Sequence, residues 1–66
     1  MSWIIARKKG REYETYNDTD IYGRGHFGGH SVFDLPELYR SKAEAQDHLR
    51  TIDKEDGWEY LVEYYE

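Results

Sequence analysis

Hydrophobic and polar positions along this chain follow two periods, and the change from one to the other divides it. Trp3-Ile4-Ile5-Ala6 is apolar on both faces and runs into Arg7-Lys8, as expected of a strand that starts in a core and leaves it. Lys9-Gly10 supplies a two-residue turn with glycine available for positive φ. From there Arg11/Tyr13/Thr15 alternate with Glu12/Glu14/Tyr16, which predicts a β-hairpin. Asn17-Asp18-Thr19-Asp20 are four turn formers in a row and end the second strand. A Gly-rich loop follows, at about 17–31, and Ser31-Val32-Phe33 at its end is a candidate short strand. Pro36 bars a continuous central strand after it.

At Ser41 the period changes to that of a helix. Ser41-Lys42-Ala43-Glu44 reads as a capping box, so a helix is predicted from Lys42. Ala45, His48, Leu49 and Ile52 then fall at i, i+3, i+4 and i+7, a single apolar stripe, with Glu44, Gln46, Asp47 and Arg50 outside it. After Asp53-Lys54-Glu55-Asp56-Gly57 the period returns to two. Trp58, Tyr60, Val62 and Tyr64 point one way, and Glu59, Leu61, Glu63 and Tyr65 the other. The predicted fold is α+β, one domain over residues 1–66: a three-stranded antiparallel sheet, made of the N-terminal hairpin and a C-terminal strand, with one helix on one face, in ββαβ order. Core candidates are Trp3 or Ile4 with Ile5, Tyr13, Phe33, Ala45, Leu49, Ile52, Trp58, Tyr60 and Val62.

Composition narrows the class. A chain of 66 residues buries only about 60% of its unfolded surface, which leaves little room for a deep catalytic cleft. Cysteine is absent, so disulfides and thiolate zinc sites are excluded; two Trp, seven Tyr and two Phe supply the buried area instead. No apolar run approaches the roughly 20 residues of a membrane span, and a cytoplasmic protein is expected. Charge is uneven. Residues 1–33 hold five Lys/Arg against four Asp/Glu, +1, and residues 34–66 hold four against ten, −6, for a net −5. This balance argues against a dedicated nucleic-acid binder, whose footprint is basic, and favours a basic protein partner.

Several local motifs carry candidate chemistry. Gly23-Arg24-Gly25-His26-Phe27-Gly28 spells G-x-G-x-x-G, but no helix opens directly after it, so a dinucleotide site is excluded by context. What survives is an anion cradle of backbone N–H groups at Gly23, Gly25 and Gly28, with charge from Arg24. His26 and His30, with Asp34, have the residue types of a metal site but sit among glycines, and His48 on the helix stripe reads as a hydrogen-bonded core residue; no metal or other cofactor is expected. Asp18-Thr19-Asp20 begins like a calcium loop, yet its fifth and twelfth positions would be Tyr22 and Gly29. Ser31 beside His30 lacks an organised base and orienting acid, and catalysis is not expected.

The acids are the strongest signal. Glu44, Asp47, Asp53, Glu55, Asp56, Glu59 and Glu63, with Glu66 and the aromatic Tyr65, come from the helix, its exit and the last strand. Together they are expected to form one acidic surface that imitates spaced phosphates, with Leu61, Tyr16 and Tyr39 as further anchors. The alternative is a small nucleic-acid or anion binder using Arg7, Lys8, Lys9, Arg11 and Arg24 with Tyr13, Tyr16 and Phe27.

The hairpin at Trp3-Ile4-Ile5, the run Leu38-Tyr39-Arg40-Ser41-Lys42-Ala43-Glu44-Ala45 and the aromatic last strand resemble small accessory proteins of bacteriophages and mobile elements, in which a hairpin precedes an S-K-x-E-A helix and a closing strand. The resemblance covers most of the chain except the glycine loop. It implies a binder without catalysis, in some members an inhibitor of host defence or of host nucleic-acid machinery, as anti-CRISPR proteins are.

Overall fold

A computed structural model of the chain describes residues 2–17, 25–28 and 36–65. It is an α+β fold with one helix, α1 (Lys42–Thr51), and a four-stranded antiparallel sheet of β1 (Ser2–Lys9), β2 (Glu12–Asn17), β3 (His26–Gly28) and β4 (Glu59–Tyr65). Spatial order is β3-β2-β1-β4. The expected three strands become four, and ββαβ becomes βββαβ, because His26-Phe27-Gly28 pairs with β2 in the register Thr15↔Gly28, Tyr16↔Phe27 and Asn17↔His26. Three residues between glycines are too few to show a period of two. Ser31, Val32 and Phe33 lie outside the described residues.

β1 is central, which accounts for its run of apolar residues on both faces: Ile4, Ile5 and Ala6 are all buried. Lys9 pairs with Glu12, so the hairpin turn is Gly10-Arg11, one residue later than Lys9-Gly10. Gly10 has φ +58, and among the described residues no residue other than glycine, Arg11 included, takes a positive φ, the φ pattern of a type II′ turn with glycine first. The shift leaves Tyr13, Thr15 and Asn17 on one face of β2 and Glu14 and Tyr16 on the other.

At its far end the hairpin opens like a fork, and the segment 36–39 fills it. Tyr39 exchanges two backbone hydrogen bonds of 2.9 Å with Trp3, and Glu37 N–H donates to the Tyr16 carbonyl at 3.0 Å. Pro36 sits here without cost because its neighbour Glu37 supplies the donor.

α1 starts at Lys42, with Ser41 as its N-cap; the Ser41 hydroxyl accepts from Glu44 N–H at 3.1 Å. Its stripe lies on the sheet face formed by Ile5 and its register partner Val62: Ile5, Tyr39 and Ala45 are the core, and Trp3, Tyr16, Phe27, Leu49, Ile52 and Val62 pack against it. Tyr13 is not a core residue; the period of two sends it to the opposite sheet face, where it is exposed. Among the described residues no helix is long and apolar enough to cross a membrane.

Candidate protein-docking surface

The chemistry of the exterior depends on where the chain's cations go. Arg7 has the parity of Trp3 and Ile5, so β1 aims it at the covered face, and its side chain is only 13% exposed. The guanidinium lies 4.5 Å from the ring centre of Phe27 and 4.1 Å from that of Trp58. Two of its nitrogens reach Glu14 Oε1, at 2.8 and 2.6 Å, and Glu55 lies 3.9 Å away. Burial works against the charge, but hydrogen bonding to the Tyr60 hydroxyl and to Glu14 outweighs it, and the pKa of Arg7 lies above its ordinary value. Tyr60 in turn packs edge-on against Phe27, and its hydroxyl oxygen accepts from the Glu55 N–H at 2.8 Å. Arg7 is thus a structural cation inside an aromatic clamp drawn from three strands and a loop.

Other cations are also engaged. Lys54 donates to the Leu49 and Ile52 carbonyls at 2.7 and 3.1 Å and closes the C-terminal end of α1. Lys8 faces Glu59 at 3.8 Å, Arg50 holds Asp47 at 3.0 Å, Lys9 stands over Trp58 and Lys42 over Trp3. Among the described lysines and arginines, only Arg11 and Arg40 have no ion pair, ring contact or side-chain hydrogen bond. Of the acids, Glu44, Asp53 and Asp56 are exposed and have no cation within ion-pair distance among the described residues.

The structure divides the expected acidic surface in two. Glu44 and Asp47, at i and i+3 on the outer side of α1, lead to Asp53, Glu55 and Asp56 in the connection after it. Glu59, Glu63 and Tyr65 lie on the sheet face turned away from α1, because Glu59 pairs with Lys8 and Glu63 with Ile4, opposite in parity to the helix-bearing Ile5 and Val62. On that face Tyr13 donates to Glu63 at 2.6 Å, and burial together with this bond pushes the pKa of Tyr13 up to about 12. Leu61 shares this face; Tyr16 and Tyr39 belong to the core side. Glu66 lies outside the described residues.

Beside the Arg7 clamp, a groove of about 590 Å³ opens between the C-terminal end of α1 and the edge strand β3, lined by Tyr16, His26, Phe27, His48, Asp53 and Lys54 among others. Behind it the Tyr39 hydroxyl bonds to His48 Nδ1, and both rings of Tyr16 and Tyr39 meet His48 edge-on. Burial, reinforced by the charge of Glu37, raises the pKa of Tyr39. His48 is therefore a half-buried, hydrogen-bonded residue of the core margin.

Of the expected anion cradle, Gly23 and Arg24 lie outside the described residues. Gly25 and Gly28 do not need an anion to explain them: a Cβ on Gly25 would stand 2.3 Å from the Tyr16 ring, and one on Gly28 3.0 Å from the Asn17 amide. His30 and Asp34 also lie outside, and among the described residues no three metal-ligating side chains come together. Comparison with protein-family models, with curated proteins and with solved structures finds no match.

The residues that sequence reasoning missed are those of the Arg7 clamp. A signal was present: applying the period of two to β1 places Arg7 on the side of Trp3 and Ile5.

Proposed function

We propose that this chain is a non-enzymatic protein-binding module whose acidic helix side engages a basic partner. One observation carries the reading. Arg7, Lys54 and most other described cations are held by the fold itself, while Glu44, Asp53 and Asp56, next to Asp47 and Glu55, are exposed and have no cation within ion-pair distance among the described residues. A surface of this kind attracts a basic protein over long range and repels nucleic acid. The spaced carboxylates suit the basic groove of a nucleic-acid enzyme, so the finer form of the proposal is a phage-type inhibitor, an anti-CRISPR-like DNA mimic acting in the cytoplasm. The rival reading, a basic hairpin that binds nucleic acid or another anion, is weakened by the same geometry, since Arg7, Tyr16 and Phe27 are packed inside and Tyr13 is bonded to Glu63.

Affinity capture from a bacterial lysate with paired baits tests the proposal. Wild-type chain should retain basic proteins that a Glu44→Lys/Asp53→Lys/Asp56→Lys bait loses, while Lys8→Glu/Arg11→Glu retains them. Identical capture by the wild-type and triple-reversed baits would sink it.

A further inference from the structure

The sheet has two edges, and they differ in a way that bears on assembly. β3 is three residues long, whereas β4 runs for seven, Glu59–Tyr65, with no glycine, proline or positive φ in it. Among the described residues no strand pairs with its outer side. A strand of this length with a free row of N–H and C=O groups is a template for another strand unless charges or bulges spoil it.

We infer that β4 pairs antiparallel with β4 of a second copy of this chain, about a two-fold axis at Val62, to give a continuous eight-stranded sheet. The register follows from charge. A two-fold axis normal to the sheet keeps like faces together and sets residue i opposite residue j with i and j of the same parity. Centred on Val62, all seven residues pair: Val62 meets Val62, Tyr60 meets Tyr64, Glu59 meets Tyr65 and Leu61 meets Glu63, with no carboxylate opposite another. Centring on Leu61 would set Glu59 against Glu63, and centring on Glu63 would set that residue against itself; directly opposed like charges destabilise a pair. The face under the helix would gain Tyr60, Val62 and Tyr64 from both copies, an uncharged stripe continuous with Trp3, whose ring already meets Tyr64 edge-on. Because the axis is normal to the sheet, both helices and both rows of helix-side acids fall on the same side of the dimer. Each copy carries −5, so salt should strengthen the association.

The chain has no cysteine, which makes disulfide trapping a clean test. Glu59 and Tyr65 lie six residues apart in one strand, roughly 20 Å, far beyond disulfide reach, but directly opposed residues of two antiparallel strands lie about 5 Å apart, within it. Oxidised Glu59→Cys/Tyr65→Cys chain should form a covalent dimer closed by two disulfides, and either single variant should form at least tenfold less under the same conditions. Wild-type chain should show a concentration-dependent dimer by sedimentation equilibrium, shifted towards dimer by added salt. The inference is overturned by a wild-type chain that stays monomeric up to about 1 mM, or by a dimer in which the double variant cross-links no better than the single ones. Either result leaves the acidic-surface reading standing, since that rests on the helix side and not on the β4 edge.

Discussion

The two faces of the sheet are built from different materials. Under α1 the sheet carries large rings: Trp3, Tyr16 and Phe27 pack against the core of Ile5 and Ala45, and Phe27 also meets Tyr60 and the part-buried guanidinium of Arg7. The opposite face carries short aliphatics at its centre, Ile4 and Ala6, framed by polar and amphipathic neighbours such as Thr15, Leu61, Glu63 and Tyr13. The difference teaches where the charge of this protein resides. By taking Arg7 into the aromatic side, the fold removes a cation from its surface. The helix that covers that side then presents its own acids outward, so the core and the exterior charge have a common origin in the parity of β1.

Substitution at Ile5 should show the largest effect. Ile5→Ala empties a site closed by the helix, where relaxation is limited, and should cost about 4 kcal/mol of unfolding free energy in urea titrations; Ile4→Ala, on the face no helix covers, should cost about 2 kcal/mol. Equal losses would mean that the helix contributes nothing special to the packing of Ile5. Arg7→Ala should cost about 2 to 3 kcal/mol, by opening the space between Phe27 and Trp58 and leaving Glu14 half-buried without its partner, and Arg7→Lys should restore only part of it because an ammonium cannot stack flat on two rings.

Both faces should fail together in alkali. Tyr13 on one side and Tyr16 and Tyr39 on the other have pKa values raised in the folded state, principally by burial. The unfolded chain therefore loses these protons first, from about pH 10, and binds fewer of them than the folded chain. Stability should be flat in this respect below about pH 10 and fall as pH rises through the folded-state value, which for Tyr13 is about 12. Thermal melts followed by circular dichroism would show it. Tyr13→Phe should remove the contribution of the face opposite α1 alone. The smallest of these changes is at the helix start, where Ser41→Ala should cost about 1 kcal/mol through loss of its bond from Glu44 N–H.

How much of this was legible in the sequence depends on how many residues each feature repeats over. α1 was readable because ten residues carry a cap, a stripe and an acidic outer side, and β4 because seven alternate cleanly. β3 was not, since Phe27 is held by Tyr16, Arg7 and Tyr60, partners distant along the chain, rather than by any local pattern. The hairpin turn moved by one residue because both Lys9-Gly10 and Gly10-Arg11 offer the glycine, and only cross-strand register distinguishes them. The wedge at 36–39 was hidden by Pro36, which reads as a strand breaker although its neighbours supply the hydrogen bonds. The acids could be named from sequence, but their grouping could not: placing Glu59 and Glu63 on one face and Glu44 and Asp47 on the other side of the molecule takes the pairing of β4 with β1.

The most direct test of the acidic surface is the affinity of a captured basic partner for wild-type and charge-reversed chain, measured by calorimetry at two salt concentrations, with melting curves as the folding control. Glu44→Lys/Asp53→Lys/Asp56→Lys should lower affinity at least tenfold and flatten its salt dependence, with stability changed by no more than about 0.5 kcal/mol. Unchanged affinity in that variant, together with loss of binding in Lys8→Glu/Arg11→Glu, would contradict the account and assign the binding surface to the hairpin.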